Sequence, residues 1–299
     1  MNSSMNFEQT LKEKISQTQD IVYSFLPEEE GKQKIVLEAM NYSVKAGGKR
    51  LRPLLVMEFC KMFGGDIEEA KPFIAALEFI HTYSLVHDDL PAMDNDELRR
   101  GMPTTHVKYG HAMGILAGDA LLNYAYEVVS NAIIGSSNPF KAALAFSILS
   151  ECAGVYGMVG GQTVDVVNVE GVSDRETLDF IYELKTGALL KAAMMTGAVL
   201  GGATQDELDV VESVAMKVGM AFQIQDDILD VTSTTKELGK PVLSDEKNNK
   251  FTYVTLLGLE GAKEYAEVLS QCAIKDLSEL PYDTEFVEAL IDMLINRQK

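Results

Sequence analysis

The chain is poor in positive charge, in cysteine and in long apolar runs. Against 45 acidic residues stand 26 lysines and arginines, a net charge of −19. That balance excludes nucleic acid as a partner, because phosphate neutralisation needs a basic face. It does not exclude a small anionic substrate, since a local basic pocket can exist on an acidic protein. The three cysteines, Cys60, Cys152 and Cys272, are scattered and odd in number. No metal-type spacing links them, so neither a disulfide framework nor a zinc site is expected, and a reduced cytoplasmic protein is. No run approaches the roughly 18–20 apolar residues of a bilayer span. The first residues lack a basic segment followed by an apolar one, so no signal peptide is expected.

Alternating strand patterns are also missing, and helical spacing runs nearly throughout. Phe7, Leu11, Ile15, Thr18 and Val22 form one stripe of a helix over 7–25. Further helices are predicted over 34–45, 53–63, 69–89, 112–133, 140–156, 174–200, 205–231, 252–257, 261–277 and 284–296. The helices over 73–86 and 188–200 look apolar on most faces, which suits a bundle centre or a subunit interface. The segment 233–250 is polar and lysine-rich, and reads as a flap. No linker rich in proline or serine divides the chain. One all-α domain, residues 1–299, is therefore expected, with helix ends gathered over a central cavity.

Two aspartate clusters stand out, Asp88-Asp89 with Asp94, and Asp226-Asp227 with Asp230. Carboxylates at this density repel one another unless a cation neutralises them. Oxygen-only clusters suit hard divalent ions, and two facing one cavity suggest Mg²⁺ holding a diphosphate. Asp226 and Asp230 share a helix face, with Gln223 one turn earlier. The plain alternative is a solvated acidic face. Apolar Phe222, Ile224, Ile228 and Leu229 around the acids weaken it, since buried carboxylates need partners. In the first cluster, Asp88 and Asp94 are six apart, and Pro91 removes a helical hydrogen bond. The helix must end there, leaving a loop to bring Asp94 back beside Asp88. A charged surface loop is the alternative.

Cations are concentrated near these acids. Gly47-Gly48-Lys49-Arg50-Leu51-Arg52-Pro53 is a glycine turn with three of them, and His81 could complete an anion pocket with it. It lacks the spacing and the Ser/Thr of a phosphate-binding P-loop, and a helix-capping turn with solvated charges is the alternative. Lys185-Thr186-Gly187 interrupts an apolar helix at a cost of about 1 kcal/mol for the glycine, which marks a functional kink. Of the flap lysines, Lys240 follows Gly239 and is the one placed to reach.

The strings "AGGKRLRP", "HTYSLVHDDLPAMDNDELRRGMPTTH", "GMVGGQ", "KTGALL", "FQIQDDILD" and "LGK" resemble the trans-isoprenyl diphosphate synthases, most closely the bacterial farnesyl diphosphate synthases. The match runs from about Tyr42 to Leu259. The resemblance implies an isoprenoid-synthase-type helical bundle, a homodimer and three Mg²⁺ ions per site. It implies condensation of isopentenyl diphosphate with dimethylallyl and then geranyl diphosphate. It assigns Asp88, Asp94, Asp226 and, less firmly, Asp230 to metal. Lys49, Arg52, His81 and Arg100 go to isopentenyl diphosphate, and Arg99, Lys185 and Lys240 to the allylic diphosphate. Thr186 and Gln223 fall beside the forming cation. Tyr83 and Ser84, five and four residues before Asp88, fall where the family sets chain length, and an aromatic there goes with a C15 product. Geranyl and geranylgeranyl synthases share the chemistry. A terpene cyclase is disfavoured because Asp226–Asp230 does not fit its usual second metal motif. A non-catalytic regulatory subunit would tend to have lost an aspartate motif or a diphosphate-binding cation. Met102, Leu243 and Phe251 depart from the family pattern outside those sets.

Overall fold

The computed structural model describes residues 2–168, 174–232 and 251–296, with side chains from Phe7 onward. The predicted flap at 233–250, with Lys236, Lys240, Leu243, Lys247 and Lys250, lies outside the described residues.

The architecture is all-α. The helices are α1 (Asn2–Ser24), α2 (Lys34–Lys45), α3 (Leu51–Met62), α4 (Ile67–Asp88), α5 (Thr105–Tyr109), α6 (His111–Gly135), α7 (Pro139–Ala153) and α8 (Met158–Val167). They continue with α9 (Arg175–Ile181), a π-helical turn (Tyr182–Gly187), α10 (Ala188–Gly201), α11 (Gln205–Thr232), α12 (Tyr253–Ser278) and α13 (Glu285–Ile295). Among the described residues the only strands are β1 (Leu98–Arg99) and β2 (Met102–Pro103), an antiparallel pair just after the first aspartate cluster.

α4 and α10 form the centre. Phe73, Ile74, Ala75, Ala76, Leu77, Phe79 and Ile80 cover every side of α4 and are all buried, as are nearly all residues of α10. Each such side chain of Leu or Phe size contributes roughly 1.5–3 kcal/mol on leaving water. α10 packs on α3 and α7, α4 packs on α6, and α11 packs on α12. Asp66 caps α4 by accepting from the Glu68 backbone N–H at 2.9 Å. The length of α4 then carries Glu78, His81, Tyr83 and Asp88 in sequence toward one end of the bundle.

Several expectations are corrected. The helix expected over 174–200 is three pieces, because the kink at Lys185-Thr186-Gly187 is a full π-helical turn. α8 was not expected at all. α3 begins at Leu51, which places Pro53 third in its first turn, where its missing N–H still has no helical partner to lose. The helices expected over 252–257 and 261–277 join in α12 across Gly258, whose φ of 72° makes a kink that glycine adopts without strain.

The absence of a span-length apolar stretch is also corrected. Pro139–Val167 holds an 18-residue window of mean hydropathy 1.5, long and apolar enough to cross a bilayer by length and composition alone. It is broken between α7 and α8, where Gly154 and Gly157 leave helical geometry. Much of it is exposed, including Phe140, Leu144, Val155 and Tyr156. Much of the exposed apolar surface thus lies on α6–α8 and the turn between α7 and α8, and none of it on the 188–200 helix, which is core.

Candidate active site

The chain folds back at the end of α4 as the spacing predicts. The Asp94 N–H donates to the Asp88 carbonyl at 2.8 Å, and the Met93 and Asn95 N–H groups both donate to the Leu90 carbonyl. Asn95 has φ of 55°, which asparagine tolerates better than most residues. The loop sets Asp94 beside Asp88. Burial, helped by the charges of Asp94 and Asp89, lifts the Asp88 carboxyl to about 6 against the opposing pull of Lys185 and Arg99. Gln162 Nε2 donates to Asp88 Oδ1 at 2.8 Å.

Asp89 points elsewhere. It is buried, and its Oδ1 accepts from Arg99 Nε at 2.7 Å and from Nη2. Arg99, expected at the allylic diphosphate, is therefore paired with Asp89 here, and Asp96 lies 3.6 Å from its Nη2.

The glycine turn divides its three cations. Arg50 takes a left-handed backbone, φ 50° and ψ 30°, at the N-cap of α3. Its side chain is buried against Glu78, and its Nη2 donates to the Val44 carbonyl at 2.7 Å. Arg50 is thus a fastening and not a substrate contact. Lys49 is left exposed before it, and Arg52 follows it in the first turn of α3. Arg100 Nη1 donates to the Gly47 carbonyl from the β1–β2 turn.

His81 completes the cluster. Burial pushes its pKa well down, and the nearby charges of Arg52, Arg100, Arg50 and Arg99 push it further, so the ring is neutral. Burial also lowers Arg52, while Glu78 and Asp226 act against that and Arg100 with it. Arg52 Nε is buried with no hydrogen-bond partner among the described residues. Asp226 of α11 is close enough to be felt by Arg52, so the two halves of the site share one field.

Where the π turn meets α11, Thr186 Oγ1 donates to Gln223 Oε1 at 2.7 Å, joining two residues that the family resemblance placed together. Lys185 Nζ donates to Asp165 Oδ2 at 2.5 Å. α8 lies directly on the π turn: a Cβ on Gly161 would sit 2.2 Å from the Lys185 backbone nitrogen. That contact delivers Gln162 to Asp88 and Asp165 to Lys185. Both roles escaped sequence reasoning, and the glycine pair before Gln162 was the one available signal. Asp226 is exposed, whereas Asp227 and Asp230 are buried. Among the described residues no three His, Cys, Asp or Glu side chains gather closely enough to hold a metal by themselves.

Tyr83 is buried, and burial, with smaller effects from Tyr126 and Asp88, lifts its phenol to about 12. Its ring meets His87 edge-on at 5.8 Å. Ser84 turns back to donate to the His81 carbonyl at 2.9 Å. Of the departures from pattern, Met102 is exposed on β2, and Phe251 packs against the second apolar cluster beside α11 and α12.

An all-helical bundle that brings Asp88 and Asp94 near Arg99, and Asp226 near Arg52 and its arginine–histidine cluster, suits the class of enzymes that handle diphosphates. Residues 33–289 match the family model described as polyprenyl synthetase. The farnesyl diphosphate synthase of Escherichia coli is 42% identical over 300 residues, covering 99% of this chain and 100% of that one. The geranylgeranyl diphosphate synthase of Cyanophora paradoxa is 43% identical over 274 residues, 89% of each. An FPP/GFPP synthase of Zymomonas mobilis superposes with a TM-score of 0.85 at 35% identity, covering 97% of this chain and 99% of that chain. The chain belongs to the polyprenyl synthetase family. It is a short-chain trans-prenyltransferase with the isoprenyl-synthase helical bundle.

Proposed function

We propose that the protein joins isopentenyl diphosphate to dimethylallyl and then geranyl diphosphate, releasing pyrophosphate and stopping at C15 farnesyl diphosphate. The observation that carries diphosphate binding is the buried Arg52 Nε without a partner, amid Arg100 and a neutral His81. A buried guanidinium nitrogen left unpaired is costly unless an anion arrives. Arg52, His81, Arg100 and exposed Lys49 hold isopentenyl diphosphate. Arg99 and Lys185 hold the allylic diphosphate, each released from its carboxylate, Asp89 or Asp165.

The oxygen-only donors Asp88 and Asp94, joined through their backbones, fit Mg²⁺, with exposed Asp226 on α11 within reach of Arg52 and Asp230 buried one turn on. Bound Mg²⁺ supplies Lewis-acid neutralisation of the leaving diphosphate. Thr186 spends its proton on Gln223, so its oxygen lone pairs remain for the allylic cation without attacking it. The surrounding apolar helices keep water away, which preserves that cation.

Product length is the finer part. Tyr83 precedes Asp88 by five residues, roughly 7–8 Å along α4, and it is buried beneath the site. Its ring closes the floor of the tail pocket. Incubation with isopentenyl and dimethylallyl diphosphates is expected to give mainly C15, and Tyr83→Ala is expected to move most product to C20 or longer. Products are resolved by chromatography. A wild-type enzyme making mainly C20 would favour the geranylgeranyl reading, and an unchanged Tyr83→Ala profile would remove the floor.

The protein acts as a homodimer, a reading supported by the exposed apolar residues Ile115, Leu116, Phe140, Leu144 and Tyr156 on α6 to α8. Patches of this kind mark association surfaces. Sedimentation equilibrium is expected to return twice 32.8 kDa. A monomer at micromolar concentration would rule it out.

A further inference from the structure

The π turn meets α11 along a seam that is evenly spaced on the α11 side. A Cβ on Gly219 would lie 2.7 Å from the Gly187 Cα, so the two backbones touch. One turn on, Thr186 Oγ1 donates to Gln223 Oε1 at 2.7 Å. One turn further, the Tyr182 hydroxyl donates to Asp227 Oδ2 at 2.6 Å. Positions 219, 223 and 227 are successive four-residue steps on one face of α11. Their partners run in the opposite direction, from 187 through 186 to 182. A backbone contact and these hydrogen bonds dock the π turn antiparallel on α11.

Lys185 sits between the rungs at 182 and 186, and Asp226 is adjacent to the rung at 227. The last rung is buried on both sides, and Asp227 Oδ2 also accepts from the Tyr253 N–H at 3.3 Å, where α12 begins. The Tyr182 and Tyr253 rings pack 5.8 Å apart over it. A carboxylate oxygen that already accepts from a hydroxyl and an amide is occupied as a hydrogen-bond acceptor.

We propose that Tyr182 and Asp227 form a positioning pair that holds Lys185 and Thr186 in register with Asp226 and Gln223. Asp227 serves through Oδ2 as an acceptor and does not offer that oxygen to a metal, although it lies inside the aspartate cluster. The contrast with Asp226 rests on the reading of Asp226 as a Mg²⁺ ligand.

The test compares Tyr182→Phe, Asp227→Ala, Asp227→Asn, Tyr182→Phe with Asp227→Ala, and Asp226→Asn, each checked for helix content by circular dichroism. Tyr182→Phe and Asp227→Ala are expected to lower kcat by on the order of 10–100-fold with KM for both substrates nearly unchanged, as for lost orienting partners. The double variant is expected to be no slower than Asp227→Ala, because the residues act as a unit. Asp227→Asn keeps an acceptor oxygen, and is expected to recover most of that loss with the wild-type Mg²⁺ half-saturation. A second readout needs no turnover: the rise in thermal midpoint on adding Mg²⁺ with inorganic pyrophosphate. It is expected to persist in Asp227→Asn and to shrink in Asp226→Asn.

An Asp227→Asn protein that loses this rise would make Asp227 a ligand and overturn the proposal. Wild-type kcat in Tyr182→Phe, or additive losses in the double variant, would overturn it too. If Asp226→Asn keeps the full rise, the metal reading of Asp226 fails instead. The pairing is then decided by the kcat of Tyr182→Phe and of the double variant.

Discussion

Asp88→Asn is expected to lower kcat/KM for the condensation by roughly 10³-fold, about 4 kcal/mol of transition-state stabilisation. Asparagine is nearly isosteric, and its Oδ1 can still accept from Gln162, so the end of α4 should keep its shape. What disappears is a negative charge held beside Asp94 in a half-buried position. Such a charge has a use only when a cation binds against it. The measurement is pyrophosphate release at saturating Mg²⁺ and both C5 diphosphates, with circular dichroism as a control. A loss smaller than tenfold would mean that Asp88 is not a ligand and that the first cluster works through Asp94 alone.

Arg50→Met is expected to destabilise the fold by about 3–5 kcal/mol, the cost of stranding a buried partner charge. Arg50 and Glu78 are both almost wholly buried, so removing the guanidinium leaves the Glu78 charge uncompensated and shielded from solvent. The Val44 carbonyl loses its donor as well. In a chain of this size the melting midpoint should fall by on the order of 6–10 °C. The double replacement Arg50→Met with Glu78→Leu should restore most of it, because neither charge then remains buried. Thermal unfolding followed by circular dichroism separates the cases. A single variant within about 2 °C of wild type would show that Glu78 finds water or another partner.

The helical fold was legible because apolar residues recur at helical spacing in nearly every element. α8 was not, since its Met-Val-Gly-Gly-Gln start carries two adjacent glycines, each costing about 1 kcal/mol in a helix. Its reason for being helical is tertiary: a glycine is needed where it touches the π turn. The same distinction applies in the site. The return of Asp94 to Asp88 could be read from Pro91 and a six-residue gap. Residues that hold the others in place leave no such mark. Asp89, Gln162, Asp165 and Tyr182 act through partners 10, 74, 20 and 45 positions away. Arg50 is the clearest case, because a third cation in a basic turn looks like a substrate contact. Only its left-handed backbone and its contact with Glu78 show that it faces inward.

The π turn also separates two demands that a uniform helix would tie together. One extra residue in a turn advances everything downstream by about 100° around the axis. α10 can therefore keep its apolar sides set for the core while the preceding residues face the diphosphates. Changes in core packing on one side and in active-site register on the other become nearly independent, so drift in the bundle interior need not disturb the chemistry above it.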